Sequence, residues 1–208
     1  MGRSRLLDVA IREFGQRGLE GASTRGIAAA AGTAMSSITY HYGGKEGLYA
    51  AAVAHIDATM AEEMNALMPV GPVPTDPDAA RAEIHLRLDR LFTKFLGDEN
   101  AERSLFVMRE QMHPSPAFDR FFEGTMGQMA IRLTNLVAAA TGVGPTDARI
   151  AAITLFGQLV VWRASRALAD RLLGAPIDAD VALSIRRHIA ANTDCILDRL
   201  SADQQEPQ

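Results

Sequence analysis

The sequence predicts an all-α protein in which an N-terminal three-helix helix-turn-helix head sits on a larger helical body. Three observations lead there. Apolar residues recur at helical spacing through most of the 208 residues, no long stretch alternates in the two-residue rhythm of a strand, and glycine and proline clusters punctuate the chain at helix-length intervals. With 48% hydrophobic residues the chain is long enough to bury a substantial core.

The elements follow in order. Leu6, Leu7, Ala10, Ile11 and Phe14 form the apolar stripe of a first helix, with Gly15 and Gly18 marking its end. Ser23 can cap a short second helix by accepting a backbone N–H from Arg25 or Gly26, and Ile27, Ala28, Ala30 and Ala31 give it a small-residue face for close packing. Gly32 closes that helix in the left-handed conformation. Met35 to Tyr40 then has room for one or two turns, too few to be stable alone. That third helix must lean on its neighbours, which leaves Ser36, Ser37, Thr39 and Tyr40 on an outward side suited to a nucleic-acid groove.

Gly43 and Gly44 turn the chain into a long helix from about Lys45 to Met68, with Leu48, Ala52, His55 or Ile56, Met60 and Met64 along its inner stripe. Pro69, Gly71, Pro72, Pro74 and Pro77 make the next stretch a linker, because they cannot continue a helix. Further helices are expected at about 78–97, 101–112, 116–140, 146–173 and 179–200, separated by Gly97, Pro114-Ser115-Pro116, Gly142 to Pro145, and Gly174-Ala175-Pro176. The polar tail from Ser201 is expected to fray. The expected division is a head at 1–46 and a body at 47–208.

The net charge of −4 is unevenly spread: residues 1–50 hold six Lys/Arg against four Asp/Glu, and residues 51–208 hold 15 against 21. A positive head on an acidic body attracts phosphate locally and orients the encounter. The single cysteine, Cys195, cannot form an internal disulfide, which suits a reducing compartment, and no run reaches the roughly 18 apolar residues of a membrane span. The start, MGRSRLLDVAIREF, reads as an amphipathic helix rather than a signal peptide, so a soluble cytoplasmic protein is expected.

Arg25, in the first turn of the second helix, can bond a phosphate or reach a guanine edge, or stand as a solvated surface charge. Short hydroxyls such as Ser36, Ser37 and Thr39 approach bases or phosphates without filling the major groove. Tyr40 and His41 are placed for phosphates, and Lys45 adds a point charge at a helix N-terminus that already favours anions. No HExxH, Cys/His metal spacing, nucleophile elbow or phosphate loop is present, and His41 lacks a partner for catalysis, so neither an enzyme nor a cofactor is expected.

These residues carry a family resemblance. Ala10, Phe14 and Gly18, then Ser23, Thr24, Ile27 and Ala28, then Ala31-Gly32, then Tyr40-His41-Tyr42, then Lys45, Glu46 and Leu48 match the N-terminal pattern of the TetR/AcrR family of ligand-responsive transcriptional regulators. The match covers about the first quarter of the chain. The runs ITYHYGGKEGLY and MHPSPAFDRFF are most similar to its CecR-like subgroup. Departures are local: Thr33 replaces a usual aliphatic, Ala34 a usual Ser cap, Ile38 a Leu, Thr39 the common recognition-helix Tyr, and Gly26 a common acidic residue.

The resemblance implies a homodimeric DNA-binding regulator, most often a repressor, whose body takes a small apolar or amphipathic effector and whose Tyr42 packs beneath the corner. The expected DNA-facing set is Ser23, Thr24, Arg25, Ser36, Ser37, Thr39, Tyr40, His41 and Lys45. The helices at about 146–173 and 179–200 carry apolar residues on more than one side and are expected to pair with their twofold mates as a four-helix bundle. Soft, bulky side chains in the body, among them Met60, Met64, Phe92, Phe95, Phe106, Met112, Phe122, Met126 and Trp162, fit either an adaptable ligand pocket or an ordinary core. Arg109, Glu110, His113, Gln158 and Arg163 are interspersed with them and can either orient a ligand or serve as pocket salt bridges.

Overall fold

The computed structural model describes residues 2–68, 71–97 and 101–204. Among the described residues there are eleven α-helices and no strand: α1 (Gly2–Gly21), α2 (Thr24–Ala31), α3 (Met35–Tyr42), α4 (Lys45–Leu67), α5 (Pro77–Leu96), α6 (Ala101–Met112), α7 (Ala117–Glu123), α8 (Thr125–Thr141), α9 (Pro145–Ala164), α10 (Arg166–Leu173) and α11 (Ala179–Asp203). They form two compact units. One holds α1 to α4, α6, α7 and the first turn of α8; the other holds α5, the rest of α8, α9, α10 and α11. No described helix is long and apolar enough to cross a membrane.

The first unit is built on an aromatic chain. Phe14 of α1 meets Tyr49 of α4 edge-on at 4.8 Å between ring centroids, Tyr49 lies 5.0 Å from Phe106 of α6, and Phe106 lies 6.2 Å from Phe121 of α7. All four are buried with Ile27, Ala28, Ile38 and Leu48 of the helix-turn-helix and its flank. Edge-to-face pairs of this kind add about 0.5–1.5 kcal/mol beyond their area burial. The packing unit around the head therefore extends well past residue 46.

A further short turn carries α1 on to Gly21, but its helical backbone is broken at Gly18, where the sequence marks its end, with φ 70° and ψ 178°. Glycine is needed there twice over. The backbone lies in the left-handed half of conformational space, and a Cβ would come within 2.6 Å of the Arg109 side chain of α6.

Sequence periodicity suggests one helix over 116–140, but α7 ends and α8 begins at Gly124. The cause is Asp57 of α4. Its carboxylate accepts the Thr125 backbone N–H at 2.8 Å and caps α8, while the Thr125 hydroxyl donates to the Asp57 carbonyl at 3.3 Å. A Cβ on Gly124 would overlap that carboxylate.

The second unit buries Ala80, Ile84, Leu88, Leu91 and Phe92 of α5. Leu136 and Val137 of α8, Leu155 and Leu159 of α9, and Ile185, Ile189 and Leu197 of α11 are buried in the same unit. Glu83 is also buried, and its carboxylate takes Arg87 at 2.6 Å and Arg132 at 2.8 Å. Burial raises the Glu83 pKa, but hydrogen bonds from Arg132 and Arg87 and their charges outweigh it, so the net shift is downward. Arg132 also donates to the carbonyls of Gly71 and Pro72, which ties down the described part of the proline-rich linker. Pro69 lies outside the described residues. Asp76 ends the linker by capping α5 through the Ala79 N–H at 2.9 Å, with Pro77 at the first helical position.

The expected helix over 146–173 is also broken, at Ser165, into α9 and α10. No glycine or proline between Gly157 and Gly174 signals this. The break forfeits little backbone bonding, since the Ser165 N–H still reaches the Val161 carbonyl and its own carbonyl accepts Ala169 N–H, both at 2.9 Å.

Candidate nucleic-acid interface

The reading surface grows from two short helices held from behind. Ser23 caps α2 through the Gly26 N–H at 3.4 Å, and Gly32 closes it with φ 70° and ψ 34°. Ile27 is fully buried, as is Ile38 at 1% exposure, and these two fix α2 and α3 against the core. Tyr42 is partly buried against the same core. With Ile38 turned inward, Ser36, Thr39, Tyr40 and His41 lie on exposed positions, Ser37 is half-buried, and Tyr40 is 85% exposed. A ring and hydroxyl so exposed are available to a phosphate or sugar. The Tyr40 ring stands edge-on to His41 at 5.0 Å. Arg25 is exposed on α2, with Thr24 half-buried beside it.

Ala34 leaves α3 without a side-chain cap, as the missing Ser at that position suggests. Lys45 is more constrained than a free point charge: its ammonium donates to the Glu20 carbonyl at 3.0 Å and so ties the start of α4 to the end of α1. An ammonium has three donors, so two remain for a phosphate. Met35, at the first position of α3 and outside the expected set, is 48% exposed. Its place just after the Gly32 turn was the available signal, since the first residues of a recognition helix approach base edges.

Behind the surface, Glu110 of α6 is only 3% exposed and acts as a hub. The Tyr49 hydroxyl of α4 donates to one carboxylate oxygen. The Ser115 N–H at 3.3 Å and hydroxyl at 2.8 Å donate to the other. Burial first, and then the neighbouring Glu110 carboxylate, raise the Tyr49 pKa well above that of an ordinary phenol, so the hydroxyl stays a donor. The Pro114-Ser115-Pro116 turn is thus clamped to the helix that follows the reading head.

The residues singled out for a ligand are dispersed. In the first unit, Phe106 and Met64 are buried, Met60 and Met126 are half-buried against the core, and Arg109 lies at the Gly18 kink. Met112, His113 and Phe122 are exposed. In the second unit, Phe95 meets Phe156 edge-on at 6.0 Å, Gln158 donates to Thr193 at 3.1 Å, and Trp162 is half-buried. Phe92 forms part of a groove of about 250 Å³ between α5 and α11, with Leu88, Asp89, Arg186 and Ile189. That is smaller than the roughly 300–1,000 Å³ of most ligand pockets. Arg186 is committed to Asp89 at 2.7 Å and Thr93 at 2.6 Å, and lies 5.8 Å from the Phe92 ring centroid.

The geometry agrees with what the chain is similar to. Residues 6–52 match the model of the bacterial regulatory proteins of the tetR family, and residues 80–200 match the C-terminal domain of the HTH-type transcriptional dual regulator CecR. The CecR protein of Shigella flexneri is 32% identical over 96% of this chain and 92% of its own length. A TetR-like transcriptional regulator from Rhodococcus sp. RHA1 superposes with a TM-score of 0.61 at 21% identity, covering 91% of this chain and 93% of that one. The multidrug binding protein EbrR, solved with malachite green, gives 0.56 at 25% identity over 95% and 96%. With a TetR-type N-terminal region, a CecR-type C-terminal region and a CecR relative matched over nearly its whole length, this chain belongs to the TetR family, as a CecR-like DNA-binding transcriptional regulator.

Proposed function

We propose that the protein is a cytoplasmic homodimeric repressor, released from its operator by a small apolar or amphipathic molecule bound in the body. The observation that carries the DNA half is the exposed face of α3 over a buried Ile38. Ser23, Thr24, Arg25, Ser36, Ser37, Thr39, Tyr40, His41 and Lys45 are the proposed contacts, with residues 1–46 as the DNA-binding part and 47–208 as the ligand-binding and dimerisation part.

Uncovered apolar surface supports the dimer. Ile150 is 58% exposed, Ile153 72% and Val161 47% on α9, with Leu168 at 59% on α10 and Leu183 at 56% on α11. A monomer rarely leaves such a run in water, and a second copy would cover it as a four-helix bundle. Two heads would then read half-sites about 34–36 Å apart or a multiple of that. The EbrR complex with malachite green supports the effector class, since a protein of the same fold accepts a largely apolar organic cation.

Release would act through α4. The Tyr49–Glu110–Ser115 hydrogen bonds tie α4 to the end of α6, so an effector that displaces α6 carries α4 and the α3 packed near it. Effector and operator affinities must then be reciprocally coupled. Malachite green serves as the first probe: a fluorescence titration of the protein with and without bound operator should give a weaker dye affinity on the operator complex. Equal affinities in the two states would refute the coupling.

A further inference from the structure

The reading face of α3 has an unusual chemistry. Its eight residues, MSSITYHY, contain no Arg, Lys, Asn or Gln, the side chains that read guanine or adenine through paired hydrogen bonds. What the exposed side offers is a thioether from Met35, hydroxyls from Ser36 and Tyr40, the hydroxyl and methyl of Thr39, and, at its C-terminal end, the imidazole of His41. Met35 and Thr39 stand four residues apart, one above the other on the same helical face, as do Ser36 and Tyr40.

Thr39 also differs from the other threonines inside helices. Thr59, Thr93, Thr134, Thr141, Thr154 and Thr193 each return their hydroxyl to the carbonyl four residues earlier. Among the described residues Thr39 makes no such bond, and its hydroxyl has no side-chain or backbone partner. The side chain is therefore not committed to its own helix. Met35 is likewise 48% exposed, so its apolar side chain is open to an apolar partner.

The apolar feature that a base presents in the major groove is the thymine 5-methyl. We propose that Met35 and Thr39 form a thymine-methyl reader, so that each operator half-site is specified at this position by a T·A pair recognised through its methyl group and not through a paired hydrogen-bond contact. This rests on the DNA-binding reading above and adds the base chemistry that the reading surface selects.

The test starts with selection of bound duplexes from a random library by the full-length protein, followed by resynthesis of the recovered duplex with deoxyuridine in place of thymidine. Uracil keeps every hydrogen-bonding group and lacks only the methyl. Loss of one buried methyl contact should weaken binding about four-fold per half-site, or roughly sixteen-fold for both. Met35→Ala and Thr39→Ser should bind the thymine duplex more weakly and show a smaller uracil penalty than the parent. Comparing penalties cancels any change that uracil makes to duplex shape, since it is common to all three proteins. Both positions are exposed, and an unchanged melting temperature checks that the variants fold. Equal affinity of the parent for thymine and uracil duplexes, or an undiminished uracil penalty in both variants, overturns the inference while leaving DNA binding intact. Recovery of no specific duplex overturns the DNA-binding reading and the inference with it.

Discussion

Replacing Tyr49 with Phe is a stringent test of the hub behind the reading head. The ring is 4% exposed and packed between Phe14 and Phe106, contacts that phenylalanine preserves. What disappears is the single hydroxyl donor to one oxygen of a carboxylate that is itself 3% exposed. Water cannot easily replace it, and the Ser115 donors serve the other oxygen. A hydrogen bond to a charged group contributes about 1.5–3 kcal/mol, so the variant should lose roughly 2 kcal/mol. For a chain of this size that lowers the melting temperature by about 4–8 °C. Urea unfolding of both proteins at one fixed protein concentration measures the difference with association held equal. The pH dependence adds a second reading. Burial and Glu110 raise the Tyr49 pKa in the folded state, so its stabilisation is complete below the ordinary phenol pKa of about 10 and is lost as pH rises beyond it. The parent protein should therefore decline more steeply than Tyr49→Phe above about pH 10. A variant within 0.5 kcal/mol of the parent, with the same alkaline limb, would refute the hub.

Further expectations follow from other joints. Gly124→Ala should destabilise by at least about 1–3 kcal/mol by forcing Asp57 off the start of α8, and Asp57→Ala by about 0.5–2 kcal/mol, with little further loss when the two are combined; thermal melts of the three variants check this. Glu83 has a lowered pKa, so it stabilises above the ordinary carboxylate range and that stabilisation is lost as pH falls below about 4.5. Glu83→Gln should flatten the acid limb of the stability profile, measured by denaturant midpoints from pH 6 to pH 3. Ile153→Asp should convert the proposed dimer to monomers in sedimentation experiments while leaving helix content by circular dichroism unchanged, because the side chain is 72% exposed in the single chain.

Local chemistry was legible where it sits in consecutive residues. Ser23, Gly32, the Gly43-Gly44 turn and the missing cap at Ala34 all behave as their sequence positions suggest, because a cap or a left-handed residue is determined within a few positions. Tertiary determinants were not legible. The break at Gly124 depends on Asp57, 67 residues earlier, and the break at Ser165 has no local breaker. Glu110 reads equally well as a ligand contact or a structural anchor until Tyr49 and Ser115 are seen around it. The soft residues of the body illustrate the same limit. Phe106 and Met112 are six positions apart on one helix, and only packing distinguishes the buried ring from the exposed thioether. Met35 shows the converse: an apolar residue at the start of a helix is 48% exposed, which its residue type alone does not signal.

The measurement that bears most directly on the central claim is the affinity of the full-length protein for its selected duplex against a scrambled duplex of equal length, across a salt series, with Tyr40→Ala alongside. The account predicts a specific complex at least ~10³-fold tighter than the scrambled one, an affinity that falls linearly on a log–log plot as salt rises, and a loss of that complex in Tyr40→Ala with its fold intact. Equal affinity for both duplexes, or an unchanged affinity in Tyr40→Ala, would contradict the assignment of the α2–α3 surface as the reading head.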